Sequence, residues 1–126
     1  MPGNLLVLYK TLHMPFIDFT TRKKLKIWEG ITGPIFHSDQ VTIGHFTLEA
    51  GCDLPAHQHP HEQWTNLLHG ELEFNIDGEV TAMKAGMTAY IPSNVVHSAK
   101  AITKCKVIDC FIPVREDFKE LENNAQ

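Results

Sequence analysis

Turn-forming residues punctuate this chain so regularly that they limit what it can fold into. Gly33-Pro34, Gly51, Gly70, Asp77-Gly78, Gly86 and Pro92-Ser93-Asn94 separate short β-prone runs. Those runs are Leu5–Leu8, Leu25–Trp28, Val41–Leu48, Thr65–Leu68, Glu71–Ile76, Glu79–Met83, Thr88–Ile91 and Lys106–Ile112. Glu71–Ile76 alternates cleanly, with Leu72, Phe74 and Ile76 on one face and Glu71, Glu73 and Asn75 on the other. The Asp77-Gly78 pair behind it is a two-residue hairpin signal, because both positions of such a turn need a positive φ. Many short strands at this spacing predict an all-β sandwich or barrel. A helix is expected only after Pro113, over Arg115–Glu122, with Phe118 and Leu121 on its apolar side.

With 126 residues, the chain has room for a single domain over 1–126 and one core. A net charge of −4 and no basic run longer than Arg22-Lys23-Lys24 argue against a nucleic-acid surface. The apolar start, Asn4 to Tyr9, is too short for a signal peptide, and no stretch is long enough to cross a membrane. A cytoplasmic location is the expectation. Cys52, Cys105 and Cys110 form no C-x-x-C pair and read as small buried hydrophobes rather than a disulfide framework or metal ligands.

Two blocks carry recognisable chemistry. The first is Gly51, five residues, His57-Gln58-His59, three residues, Gln63, six residues, Gly70; the second is Gly86, five residues, Pro92-Ser93-Asn94, two residues, His97. Side chains two apart on a strand share a face, so His57 and His59 are expected to project together. Neutral imidazole nitrogens suit divalent first-row metals, and a Gln oxygen can complete the set. His57, His59, Gln63 and His97 are therefore the candidate ligands. Without a metal, three buried histidines would each need a hydrogen-bond partner, which is costly in a small barrel. His61 is expected at the rim, and Glu62 in solvent. His13, His37, His45 and His69 have no motif context.

A second segment, Val107 to Phe118, places Val107, Asp109 and Phe111 on one strand face. An Asp among apolar neighbours is expensive unless something pairs with it or uses it. Arg115 is the candidate partner, since its i+4 neighbour is Lys119 and offers no salt bridge. Either the two form an ion pair closing a barrel mouth, or Asp109 moves protons while Arg115 grips an anion.

The two histidine blocks resemble the paired motifs of the cupin family over Val41 to Phe118. Gln63 stands where the usual motif has Glu, and Asn94 where it has Gly. The resemblance implies a double-stranded β-helix (jelly-roll) barrel at about 41–112, extra N-terminal strands at 5–8 and 25–28, and a C-terminal helix at about 115–122. It also implies a homodimer formed through the N-terminal strands. The run His57 to Gln63, with Val107 to Phe118, looks more specifically like the small pectin-degradation (KdgF-like) group. That group holds its metal with three His and a Gln and converts 4,5-unsaturated monouronates into linear ketonised sugars. Carried over, its metal ligands fall on His57, His59, Gln63 and His97, and its site residues on Asp109, Phe111 and Arg115. Apart from the resemblance, the aromatic rings of Tyr90 or Trp64 are expected to join Phe111 in packing the sugar face. The expected cofactor is a divalent transition metal (Zn, Ni, Fe, Co or Mn), and the expected substrate a small anionic carbohydrate. An Fe- or Ni-dependent dioxygenase and a non-catalytic ligand-binding module are the alternative readings.

Overall fold

Eleven strands and one α-helix make up the fold in the computed structural model of the protein, which describes residues 15–125. The strands are β1 (Leu25–Trp28), β2 (Ile31–Gly33), β3 (Ile35–His37), β4 (Thr42–Leu48), β5 (Asp53–His57) and β6 (Glu62–His69). They continue as β7 (Glu71–Ile76), β8 (Glu79–Lys84), β9 (Thr88–Ile91), β10 (His97–Ala101) and β11 (Cys105–Ile112), and α1 spans Glu116–Asn124. The expected strand Leu5–Leu8 lies outside the described residues. Among the described residues no helix is long and apolar enough to cross a membrane.

The strands form two antiparallel sheets. One runs β1-β2-β4-β11-β6-β9, with β3 also paired to β4; the other runs β5-β10-β7-β8. Central strands show the period of two that lets one face pack on the opposing sheet. In β4 and β11 buried positions alternate with half-buried or exposed ones from end to end. Phe46, Leu48, Leu67, Leu72, Phe74 and Val107 meet in the space between the sheets. Together these features make the jelly-roll barrel with a short C-terminal helix that the sequence predicts.

Turn chemistry sets the corners. Asp77 and Gly78 both have positive φ, 50° and 89°, as the β7–β8 hairpin requires. At Gly70 φ is 95°, and a Cβ built there would lie 2.3 Å from the Lys104 carbonyl oxygen. Only glycine permits both the backbone and the approach. The helix closes one end of the barrel: Phe118 is buried and packs edge-on against Phe46 and Phe111. Leu121, expected on the apolar side, is half-buried.

Four strands had no counterpart among the sequence runs: β2, β3, β5 and β10. β2, β5 and β10 contain Gly33, Pro55 or small residues such as Ala99 and Ala101, which have little β preference of their own; β3, Ile35-Phe36-His37, is β-prone but only three residues long. Their pairing comes from their neighbours in the sheet.

Candidate functional site

Strand pairing brings the first two histidines together. In the β5–β10 ladder His57 stands directly opposite His97, and their ring centroids are 4.2 Å apart. His59 does not share the strand of His57 as alternation predicts. β5 ends at His57, and Pro60 turns the chain so that His59 reaches the cluster from a loop. That loop is tied to the one before β10: the Asn94 amide donates to the His59 carbonyl (2.8 Å) and the Ser93 hydroxyl to the Pro60 carbonyl (2.6 Å). Asn94 holds φ at 62°, a conformation Asn tolerates. Pro92-Ser93-Asn94 thus fastens the two motifs to each other.

Each histidine is oriented the same way. Nδ1 of His57, His59 and His97 lies 2.8, 2.9 and 2.8 Å from the carbonyls of Pro55, His61 and Val95. A carbonyl only accepts, so Nδ1 carries the proton and Nε2 presents a lone pair. The three rings offer nitrogen atoms within 4.8 Å of one another. Burial lowers the affinity of His59 for a proton and pulls the His97 pKa down to about 4, so both rings stay neutral.

Two observations test whether a cation suits this cluster. Nε2 of His97 is buried without a hydrogen-bond partner. Oε1 of Gln63, on β6, lies 3.1 Å from His59 Nε2, setting two lone pairs face to face. Such contacts repel unless something positive lies between them. A divalent transition metal on three imidazoles and an amide oxygen supplies that charge, and the donor set fits it.

Asp109, on β11, pairs across the ladder with Thr65 on β6. Burial pushes its pKa up to about 7, opposed by the Thr65 hydrogen bond and the Arg115 charge. The expected alternative, an Asp109–Arg115 ion pair, does not form. Arg115 instead donates from Nε and Nη2 to Asp117 (2.9 and 2.7 Å), a partner two residues away that helical spacing overlooks. Its guanidinium lies 3.9 Å from the Phe118 ring centroid and 4.8 Å from that of Phe111, stacking that a planar cation favours. The Arg115 backbone amide donates to Thr42 Oγ1 (2.8 Å), which also contacts His37 Nδ1 (2.7 Å). Those two residues, assigned nothing from sequence, anchor the start of α1.

A cavity of about 420 Å³ joins these groups. His57, His59, Gln63, Asp109, Phe111 and Arg115 all line it, while His97 is buried and does not. Its opposite wall is apolar, built by Ile27, Trp28, Ile31, Leu54 and Pro55. The β1–β2 side of this wall was not foreseen; the lone Trp28 in a short strand was the only signal. Trp64 and Tyr90, expected to pack the substrate, do not line the cavity. On β6 Gln63, Thr65 and Leu67 face inward, so Trp64 faces out and pairs with an exposed Tyr90 at 4.5 Å. Cys52 is buried and donates to the Glu29 carbonyl, away from the histidines; Cys105 is buried too, while Cys110 is only half-buried.

Comparison with known proteins places this geometry among relatives. The cupin domain family matches residues 44–111. An RmlC-like cupin from Shewanella frigidimarina is 26% identical, over 84% of this chain and 96% of that one, with a TM-score of 0.79. KdgF from a Halomonas species is 25% identical, over 84% and 99% of the two chains, with a TM-score of 0.78. The polyketide cyclase RemF from Streptomyces resistomycificus, at 16% identity over 82% of each chain, shares the fold with a TM-score of 0.72. No curated protein matches significantly.

Proposed function

This chain belongs to the cupin family, and from that premise we propose that it is a metal-dependent isomerase acting on 4,5-unsaturated monouronates. One observation carries the reading: a histidine–glutamine cluster, a carboxyl titrating near neutrality and an arginine share a single cavity. The likeness to KdgF supports it, since the residues taken from that group, Asp109, Phe111 and Arg115, line the cavity together.

The reaction is proton-neutral overall. The anomeric hydroxyl loses a proton as the ring opens, and C4 gains one as the resulting enol becomes a ketone. A single carboxyl with a pKa close to the working pH can serve both transfers. Asp109 has that property because it is buried. Arg115 binds the substrate carboxylate through the Nη edge that Asp117 leaves open, and Phe111 forms the wall between that arginine and His59. A divalent metal held by His57, His59, Gln63 and His97 would supply Lewis acidity toward a substrate oxygen, undiminished by any anionic ligand. The active species proposed is a homodimer, which light scattering of the purified protein tests.

The experiment is turnover of 4,5-unsaturated galacturonate by protein reloaded in turn with Zn, Ni, Fe, Co and Mn. Disappearance of the conjugated double bond and appearance of the open-chain ketone by NMR is the expected result. Rates equal to buffer with every metal would refute the reading.

The apolar wall favours a second reading. Ile27, Ile31 and Leu54 have no polar side-chain atom, and Trp28 donates its indole N–H to the Asp53 carbonyl, so this wall suits a flat, sparsely hydroxylated enediol or catechol. Oxygen uptake with such a substrate by the Fe or Ni protein distinguishes a dioxygenase from the isomerase.

A further inference from the structure

The amide of Gln63 has a problem that its histidine partners do not. Each ring is oriented by its own backbone carbonyl, but a carboxamide can turn over, exchanging its oxygen and its NH₂ at almost no steric cost. With the NH₂ turned inward, the cluster would lose one lone-pair donor and gain protons facing a cation.

We propose that Thr65 is the positioning residue that prevents this, linking Gln63 to Asp109 through one hydroxyl. Gln63 Nε2 lies 2.9 Å from Thr65 Oγ1. A threonine hydroxyl has one hydrogen to donate and lone pairs to accept with, so alone it tolerates either amide orientation. Asp109 removes the ambiguity. It stands directly across the β6–β11 ladder from Thr65, the side chain whose hydroxyl opposes the rise of its pKa, and its buried Oδ1 has no other partner. Ionised, as it is in mildly alkaline solution, Asp109 can only accept, so a Thr65 hydroxyl turned toward it spends its single hydrogen there. Thr65 can then only accept from Gln63, which turns the amide NH₂ outward and its oxygen toward His59.

Bulk solvent has little access to this relay, because Gln63, Thr65 and Asp109 are 7%, 2% and 8% exposed. The order along the chain also follows from the strand. Gln63 and Thr65 are two apart on β6 and face inward together, while Asp109 comes from the neighbouring strand. The relay therefore couples the candidate acid–base group to the candidate metal cluster without direct contact.

The inference rests on the reading of His57, His59, Gln63 and His97 as metal ligands, and the test separates the two. Zinc affinity is measured by competition with a chromophoric chelator in mildly alkaline buffer, on wild type, Thr65→Val and Thr65→Ser. Valine keeps the shape and deletes the hydroxyl; a void of about 40 Å³ bordering Gln63, Thr65 and Asp109 accommodates local adjustment. Loss of an orienting partner of this kind weakens metal binding by about 10- to 100-fold, and serine should restore it. In a Gln63→Glu background there is no NH₂ to misplace, so Thr65→Val should have little further effect. If valine prevents folding, judged by circular dichroism, Thr65→Ala carries the same comparison. Equal affinity in wild type and Thr65→Val, or the same loss in both backgrounds, would overturn the relay. Absence of zinc binding by wild type would overturn the ligand assignment beneath it.

Discussion

Replacing Asp109 with Asn should stabilise the metal-free protein, by an amount that depends on pH in a defined way. In the unfolded chain Asp109 ionises at its ordinary value of 3.8, and in the folded protein burial raises this to about 7. Between those values the unfolded chain has released a proton that the folded protein keeps. Stability of the wild type then falls as pH rises, by about 1.4 kcal/mol per unit. The gap of about three units amounts to a destabilisation of roughly 4 kcal/mol, complete above the folded value and absent below the unfolded one. Asparagine titrates in neither state. The variant's advantage should therefore grow across that interval and level off near neutrality. A pH-independent offset of about 1–3 kcal/mol from an unpaired NH₂ can shift the whole curve, so the slope is the diagnostic. Urea denaturation of chelator-treated wild type and Asp109→Asn, repeated across this range, measures it. A difference that does not change with pH would refute the reasoning and remove the basis for giving Asp109 an acid–base role. In the metal-loaded protein the same variant should lose about 10²-fold or more in uronate turnover, a group costly to the fold being useful to the reaction.

Three further outcomes are expected. His97→Ala should leave purified protein with little bound metal, whereas Gln63→Glu should retain it because a carboxylate oxygen can replace the amide's; elemental analysis of the two decides. Arg115→Lys should raise KM for an anionic substrate with kcat less affected, since lysine keeps the charge but loses both the open Nη edge and the paired bonds to Asp117; initial-rate kinetics measure the split. Gly70→Ala should destabilise by at least about 1–3 kcal/mol, because its φ of 95° is unfavourable and its Cβ would meet the Lys104 carbonyl at 2.3 Å; thermal unfolding detects it.

Much of the site was legible because its parts are local. Gly70, Gly86 and Asp77-Gly78 mark backbone conformations that few other residues adopt, and β7 and β9 follow their sequence runs to the residue. The spacing of His57, His59, Gln63 and His97 drew attention to four side chains, and they do converge around one centre. Helical spacing failed at Arg115, however. Its partner Asp117 is reached across the first turn of α1 from the residue that caps it, a geometry outside the i+4 rule.

Strand alternation by itself determined which residues of β6, β7 and β11 share a face, because a period of two follows from backbone geometry and needs no neighbour. What those residues face was decided only by the tertiary structure. His97 meets His57, and Asp109 meets Thr65, through the registers of the β5–β10 and β6–β11 ladders, joining positions about 40 residues apart along the chain. The same pairing makes strands of β5 and β10, whose composition does not predict them, and turns Trp64 and Tyr90 outward. Burial followed from that assembly, and with it the raised pKa of Asp109 and the neutral His97. Desolvation is a property of everything packed around a group, so no short stretch of sequence contains it.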